Sequence, residues 1–512
     1  MERISAGAAW LSSELGFQTA LHAPRDVHII FLTRFLRMFA YGSAALILAL
    51  HFSALGISDT RIGLFMTLTL LGDVAISLLL TLVADGLGRR RILLFGCACM
   101  TLSGLVFTIW SNYWILLLAA IIGVISPSGN EIGPFRAVEE STLAHIVAEK
   151  ERSDIFAWYV VLGTIGTASG FATCGWMVER LRVKQWDDVD AYRAAFCLYA
   201  AIGLIKAGLT LLLSPACEAQ IENKKDTEEV GRHDEQQESL LQHGDNAEDE
   251  DESPPRSDPP RPTATKSKYK LAQLSPETRW VLFKLCALFF VDSLASGMVP
   301  HSLTNFYMDR KFHLPKSSLG TIMSVISFFS STSTIFASAI AKRIGLVRTM
   351  AFTHLPSAIF LMLFPAPSTL WLSVVLLAAR AALASMDQAP RSAFLSAVVL
   401  PEERTAVMGI VNVVKTLSQS GGPSLTGVLA GNGRFWVAFV MAGAMKTCYD
   451  IGLLTFFLGH DVSGRSKDRQ DEQQGQELQS PRNSDVSLGS LTPPSEDLEE
   501  VGGKPGGGKV TL

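Results

Sequence analysis

Charge is scarce in this chain. Asp, Glu, Lys and Arg make up 18% of its 512 residues, against about 25% in soluble domains. Two long polar segments hold most of the acids, so the rest is too apolar for a soluble protein. The formal net charge of −4 says little, because the acids cluster in those segments, and nothing in the chain points to nucleic acid. The seven cysteines stand mostly in apolar runs and without metal-ligand spacing, so they read as small buried hydrophobes and no metal is expected. A basic start followed by an apolar run is missing, and Glu2 and Glu14 stand in the first 26 residues. That excludes a secretory signal. Strict apolar–polar alternation is absent, which excludes a β-barrel. No nucleophile–base set, phosphate loop or filter-like repeat appears, so neither enzyme nor cofactor is expected.

Long apolar runs are abundant. Six lie near 27–50, 61–84, 92–110, 114–133, 154–178 and 193–213, and six near 279–300, 319–341, 349–365, 370–390, 406–430 and 435–458. Runs of about 20 residues cross a hydrocarbon core as helices, which satisfy their own backbone there. The fold class expected is an all-α membrane protein: twelve transmembrane helices in two pseudo-symmetric six-helix bundles around a central cavity. The domains expected are an N-terminal segment 1–26, a bundle 27–213, a linker 214–278, a second bundle 279–460 and a tail 461–512. Linker and tail are too polar to bury a core and read as disordered. Ile4 to Leu21 reads either as a short interfacial helix or as disordered chain. Ser253, Ser480 and Thr492 each precede a proline, either as proline-directed phosphorylation sites or as plain linker residues.

The two sets of six are related in sequence. Gly63, Met66, Ala84, Gly88 and Arg91 recur as Gly320, Met323, Ala341, Gly345 and Arg348, each pair 257 positions apart. Gly170 and Gly175 recur as Gly422 and Gly427, 252 positions apart. Internal repeats of this size mark secondary transporters, whose substrate site lies between the repeats near mid-membrane.

Between the second and third runs the chain reads "LTLVADGLGRRRIL". This resembles the loop signature of the major facilitator superfamily, with Asp85, Gly88, Arg89 and Arg90 at its acid, glycine and basic positions. Thr81 stands where a glycine is usual, and Gly86 where a basic residue is usual. A weaker copy, "SAIAKRIGLVR", lies between runs eight and nine and lacks the acid. The resemblance covers roughly 27–213 and 279–460. It implies a monomeric transporter working by alternating access, with runs one, four, seven and ten around the cavity and this loop as a latch. The plainer reading is that the arginines only set topology. With the loop on the cytoplasmic side, both termini and the linker are cytoplasmic. Against this, Arg180, Arg182, Lys184 and Arg193 fall on the opposite side. The plasma membrane is the default location, and an internal membrane fits equally well.

Ionisable residues inside membrane helices are costly and point to function. Substrate-binding candidates are Arg34 and Arg37, three apart on one helix face, with Asp292 and Arg380. Asp292 and Arg380 either pair with each other or meet substrate. Asp73 and Glu131 are the candidates for proton coupling. Pro127, Gly129, Gly133 and Pro134 break the end of run four in "SPSGNEIGPFRAVEE", and "ASMDQAPRSAFLS" repeats its acid-then-basic order. Arg136, Asp387 and Arg391 are read from these segments as an inner gate. Lys446 and Asp450, four apart, are expected to pair locally, while Lys415 serves either the cavity or a nearby carboxylate. The excess of arginine suits a carboxylate or phosphate group. The expectation is a small organic anion, moved with or against protons, with export the favoured direction. The alternatives are proton-coupled efflux of neutral or cationic drugs or toxins, and a non-transporting sensor. The glycine–proline motif and the fourth-helix arginine of drug antiporters are both missing.

Overall fold

The computed structural model describes residues 17–123, 125, 134–148, 151–218, 276–344, 346–387, 390–391, 394–395, 398 and 404–457. All of them lie in the first of two units, Met1–Val462, and none in the second, Ser463–Leu512. Glu131, most of the 214–278 linker and the tail fall outside the described residues.

The described residues form helices and no strands. A short α1 (Phe17–Leu21) precedes the first half, which comprises α2 (Arg25–Ala54), α3 (Asp59–Leu87), α4 (Arg89–Ile109), α5 (Tyr113–Ile122), α6 (Pro134–Ile146), α7 (Arg152–Val183) and α8 (Asp188–Leu211). A 3-10 turn, Pro215–Cys217, follows. The second half comprises α9 (Pro276–Met298), α10 (His301–Phe312), α11 (Lys316–Ile344), α12 (Leu346–Leu363), α13 (Leu370–Ser385), α14 (Arg404–Gly431) and α15 (Phe435–Phe457). These make twelve membrane passages in two bundles. The fourth passage is split into α5 and α6, and the seventh into α9 and α10. Many helices carry apolar side chains on their outer faces, such as Phe95, Leu102, Trp371 and Phe352, as helices surrounded by lipid do.

Polar residues set the ends. Asn112 accepts the Trp114 and Ile115 backbone N–H groups at 3.0 and 3.4 Å and starts α5. Asp187 accepts the Val189 N–H at 3.4 Å and starts α8. Gly88 has φ of +89°, the left-handed region glycine occupies without penalty, and turns the chain from α3 into α4.

The expected extent of passage four, 114–133, needs correction. Helix α5 ends at Ile122 with Gly123 as its cap, and helix is described again from Pro134 as α6. Proline lacks an N–H and suits a first helical turn, so Pro134 opens α6 and the passage continues through it. The matched passage ten stops at Ser385 and is helical again at Pro390, which lies 256 positions after Pro134.

In the first bundle α2 packs on α7 and α4 on α8; in the second α9 packs on α14 and α12 on α15. Between the bundles α3 packs on α14 and α7 on α11. An even number of passages returns the chain to one face, the terminal face; the opposite is the distal face. Toward the distal face Phe52, Phe65, Phe107 and Phe196 form one aromatic cluster, and Tyr307, Phe364, Phe435 and Phe439 another.

The distal ends of the bundles are sealed together by the repeated glycines. A Cβ on Gly63 would lie 2.3 Å from the Pro423 carbonyl oxygen and 2.8 Å from Gly427 Cα. A Cβ on Gly175 would lie 2.4 Å from the Lys316 carbonyl oxygen and 2.9 Å from Gly320 Cα. Arg310 pairs with Asp59 at 2.5 Å, the Lys316 N–H donates to Glu179 at 2.7 Å, and Asn305 Nδ2 donates to the Ala45 carbonyl at 3.0 Å.

Candidate functional site

Each bundle buries a polar cluster in its terminal half. In the first, Arg37 Nη2 on α2 lies 2.5 Å from Glu139 Oε2 on α6. The Tyr159 hydroxyl on α7 donates to the same oxygen at 2.6 Å and accepts from Arg37 at 3.3 Å. Arg34, one turn earlier, stacks its guanidinium 4.5 Å over the Tyr159 ring. Lys206 on α8 is 1% exposed, and its ammonium lies 4.3 Å over the Phe135 ring. The restart of the helix at Pro134 carries Glu139 into the bundle, where a carboxylate survives only if paired.

In the second bundle Asp292 on α9 is the hub. Lys446 Nζ on α15 donates to its Oδ1 at 2.7 Å, and Arg391 Nη1 to its Oδ2 at 2.8 Å. Arg391 also pairs with Asp387. The expected local pair of Lys446 and Asp450 does not form. Lys446 turns to Asp292 and the Ser296 hydroxyl, while Asp450 takes His354 of α12 at 2.9 Å. Spacing of four put both side chains on one turn, but stronger partners lay on other helices. Lys415 lies 5.4 Å over the Phe289 ring.

Arg380 stands apart from Asp292. It sits at mid-α13, half-buried, and its guanidinium has no hydrogen-bonded carboxylate among the described residues. His301, at the start of α10, is within its electrostatic reach. The His301 ring is exposed and lies 5.9 Å from Phe171 of the first bundle.

Asp73 is 1% exposed at mid-α3, and neither carboxylate oxygen has a hydrogen-bond partner among the described residues. The Asp85 side chain lies outside the described residues, as does Glu131. Arg89 and Arg90 open α4. The Arg90 N–H donates to Glu218 at 3.3 Å and its guanidinium to the Leu211 carbonyl, both within its own half of the chain. Arg136 pairs with Glu140 at 2.7 Å, one turn along α6. The residues read as a gate are therefore paired within their own bundles: Arg136 in the first, Asp387 and Arg391 in the second. Sequence reading passed over Lys206 and His354. Each is an ionisable residue inside an apolar run, the same signal that singled out Asp73.

The family model of the Major Facilitator Superfamily matches residues 30–301 and 285–494. The chain belongs to that superfamily. An uncharacterized membrane protein of Saccharomyces cerevisiae, YJR124C, is 37% identical over 443 residues, which cover 86% of this chain and 96% of the yeast protein. Among solved structures, the inward-open xylose transporter XylE of E. coli is similar, with a TM-score of 0.61 at 13% identity over 85% of this chain and 98% of its own. The nucleoside transporter NupG is similar with a TM-score of 0.58 at 15% identity, over 85% of this chain and 99% of its own. At these identities the superfamily likeness to solved structures concerns the fold. Membership makes the chain a multi-pass membrane transporter of small molecules that works by alternating access.

Proposed function

We propose that this transporter carries a small organic anion between its two bundles, coupled to protons, and that it exports the anion. The observation that carries the reading is Arg380. A half-buried guanidinium inside a membrane passage is held at a cost, and here no described carboxylate bonds to it. A substrate carboxylate or phosphate, which matches the planar donor fork of arginine, fills that role. Arg34, stacked over the Tyr159 ring, and Arg37, bonded to Glu139, add two guanidinium groups on the first bundle's α2. In this reading Asp73, buried without a described cation, carries protons. Both termini face the cytoplasm, the membrane is the plasma membrane, and one chain suffices for transport.

The test is untargeted metabolite profiling of cells and medium for the wild type, a deletion, and a deletion carrying Arg380→Ala at matched expression. The expected result is one anion that builds up inside the deletion strain and is not cleared by Arg380→Ala. If only neutral or cationic compounds change, and Arg380→Ala behaves as wild type, the anion reading fails and efflux of neutral or cationic toxins replaces it.

A further inference from the structure

We propose that His354 and Asp450 form a one-proton site inside the second bundle, a second place, beside Asp73 in the first, where this transporter binds a coupling proton. The inference deepens the proton-coupled reading above and depends on it only for the use to which the proton is put.

The geometry is that of a dyad. Asp450 on α15 is 0% exposed. Its one hydrogen-bond partner among the described residues is the His354 ring on α12, whose Nδ1 lies 2.9 Å from Oδ1 and 3.1 Å from Oδ2. A carboxylate so enclosed is not held by a single neutral N–H donor. The pair holds a proton, either as imidazolium beside carboxylate or as imidazole beside carboxylic acid, and the two forms are one macroscopic site. Asp450 has no competing cation of its own, because Lys446, one turn away, is committed to Asp292 and Ser296.

The far side of the imidazole links the dyad to the rest of the network. His354 Nε2 lies 3.8 Å from Asp292 Oδ1, the oxygen that Lys446 holds. A protonated ring is drawn toward both carboxylates, and a neutral one leaves Asp292 to Lys446 and Arg391. Binding the proton therefore changes the forces on α9, α12, α15 and the restart of passage ten together. The remaining charged groups facing the site are Arg380 on α13 and Asp387 beside Arg391, and Lys415 on α14 faces Asp292, Asp387 and Arg391 of the adjoining network. Tyr449 packs edge-on against the His354 ring, with centroids 5.7 Å apart. Arg380, the residue assigned to substrate, is thus within electrostatic reach of the dyad. An anion that neutralises it favours the proton.

The test follows the ¹⁵N signals of His354 and the carboxyl ¹³C signal of Asp450 in labelled full-length protein in lipid. Between about pH 5 and about pH 9 both nuclei are expected to shift together in one step. Asp450→Asn is expected to remove the step, and Asp73→Asn to leave it. A His354 signal that does not move across this range, or the same step in Asp450→Asn, overturns the proposal. If Asp450→Asn does not fold, Asp450→Glu keeps a carboxyl and must move the midpoint; an unchanged midpoint also overturns it. The transport reading fails separately. If the dyad titrates, but accumulation of the profiled anion ignores an imposed pH gradient, proton coupling is wrong and the dyad stands. If accumulation follows the gradient while His354 is silent, coupling stands and the dyad is wrong.

Discussion

At the scale of residues, the chain treats its buried charges in two ways. Arg37, Glu139, Asp292, Arg391 and Lys446 are bonded to one another across helices, while Asp73 has no described partner. The consequences of substitution differ accordingly. Lys446→Met leaves Asp292 with one cation fewer in a dry bundle, a loss of about 3–5 kcal/mol. It is checked by a lowered unfolding midpoint in detergent, with Lys415→Met as the milder comparison. Asp73→Asn is expected to fold normally, to abolish accumulation driven by a pH gradient and to keep substrate exchange, measured in reconstituted vesicles. Loss of exchange as well, at normal stability, assigns Asp73 to structure. The sequence made these residues visible because charge in an apolar run is conspicuous. It did not reveal their pairing. Spacing of four offered Asp450 to Lys446, yet tertiary packing supplied Asp292 to one and His354 to the other. Pair choice in a membrane bundle is decided by neighbouring helices, which no local pattern encodes.

At the scale of elements, the apolar runs were legible as helices because length and hydropathy alone dictate them. The breaks were less so. Pro134 was read as the end of passage four, whereas α6 continues beyond it and carries Glu139 to Arg37. The apolar count falls there because α6 turns polar groups toward the bundle interior. The glycine repeats were legible as repeats, and the structure gives four of them a use: Gly63 with Gly427 and Gly175 with Gly320 let two helices from different bundles meet backbone to backbone. Gly175→Val is therefore expected to pry α7 from α11. A cysteine placed at Leu319, fully buried beside Gly320 on α11, reports on this. In purified protein lacking the exposed Cys197 and Cys448, a polar thiol reagent should modify it several-fold faster when Gly175→Val is added. An unchanged rate means that the glycines do not hold the seal.

At the scale of the whole molecule, each half carries its own aromatic cluster and its own buried ion network, so each has the makings of a folding unit. Residues 1–230 and 265–512 expressed as separate chains are expected to assemble and to transport. Co-purification together with restored export in the deletion strain checks this; co-purification without transport gives the 214–278 segment a role beyond tethering. The pseudo-symmetry has a kinematic consequence. Gly63 against Gly427 and Gly175 against Gly320 are two pivots, and two points fix a line. Bodies that touch at two points can roll about the line joining them, but cannot twist or slide without breaking one contact. The duplicated glycines thus favour one rolling motion of the halves over the others, as two hinges favour the swing of a door, and the polar contacts beside them (Arg310 with Asp59, Asn305 with Ala45) must yield as it rolls.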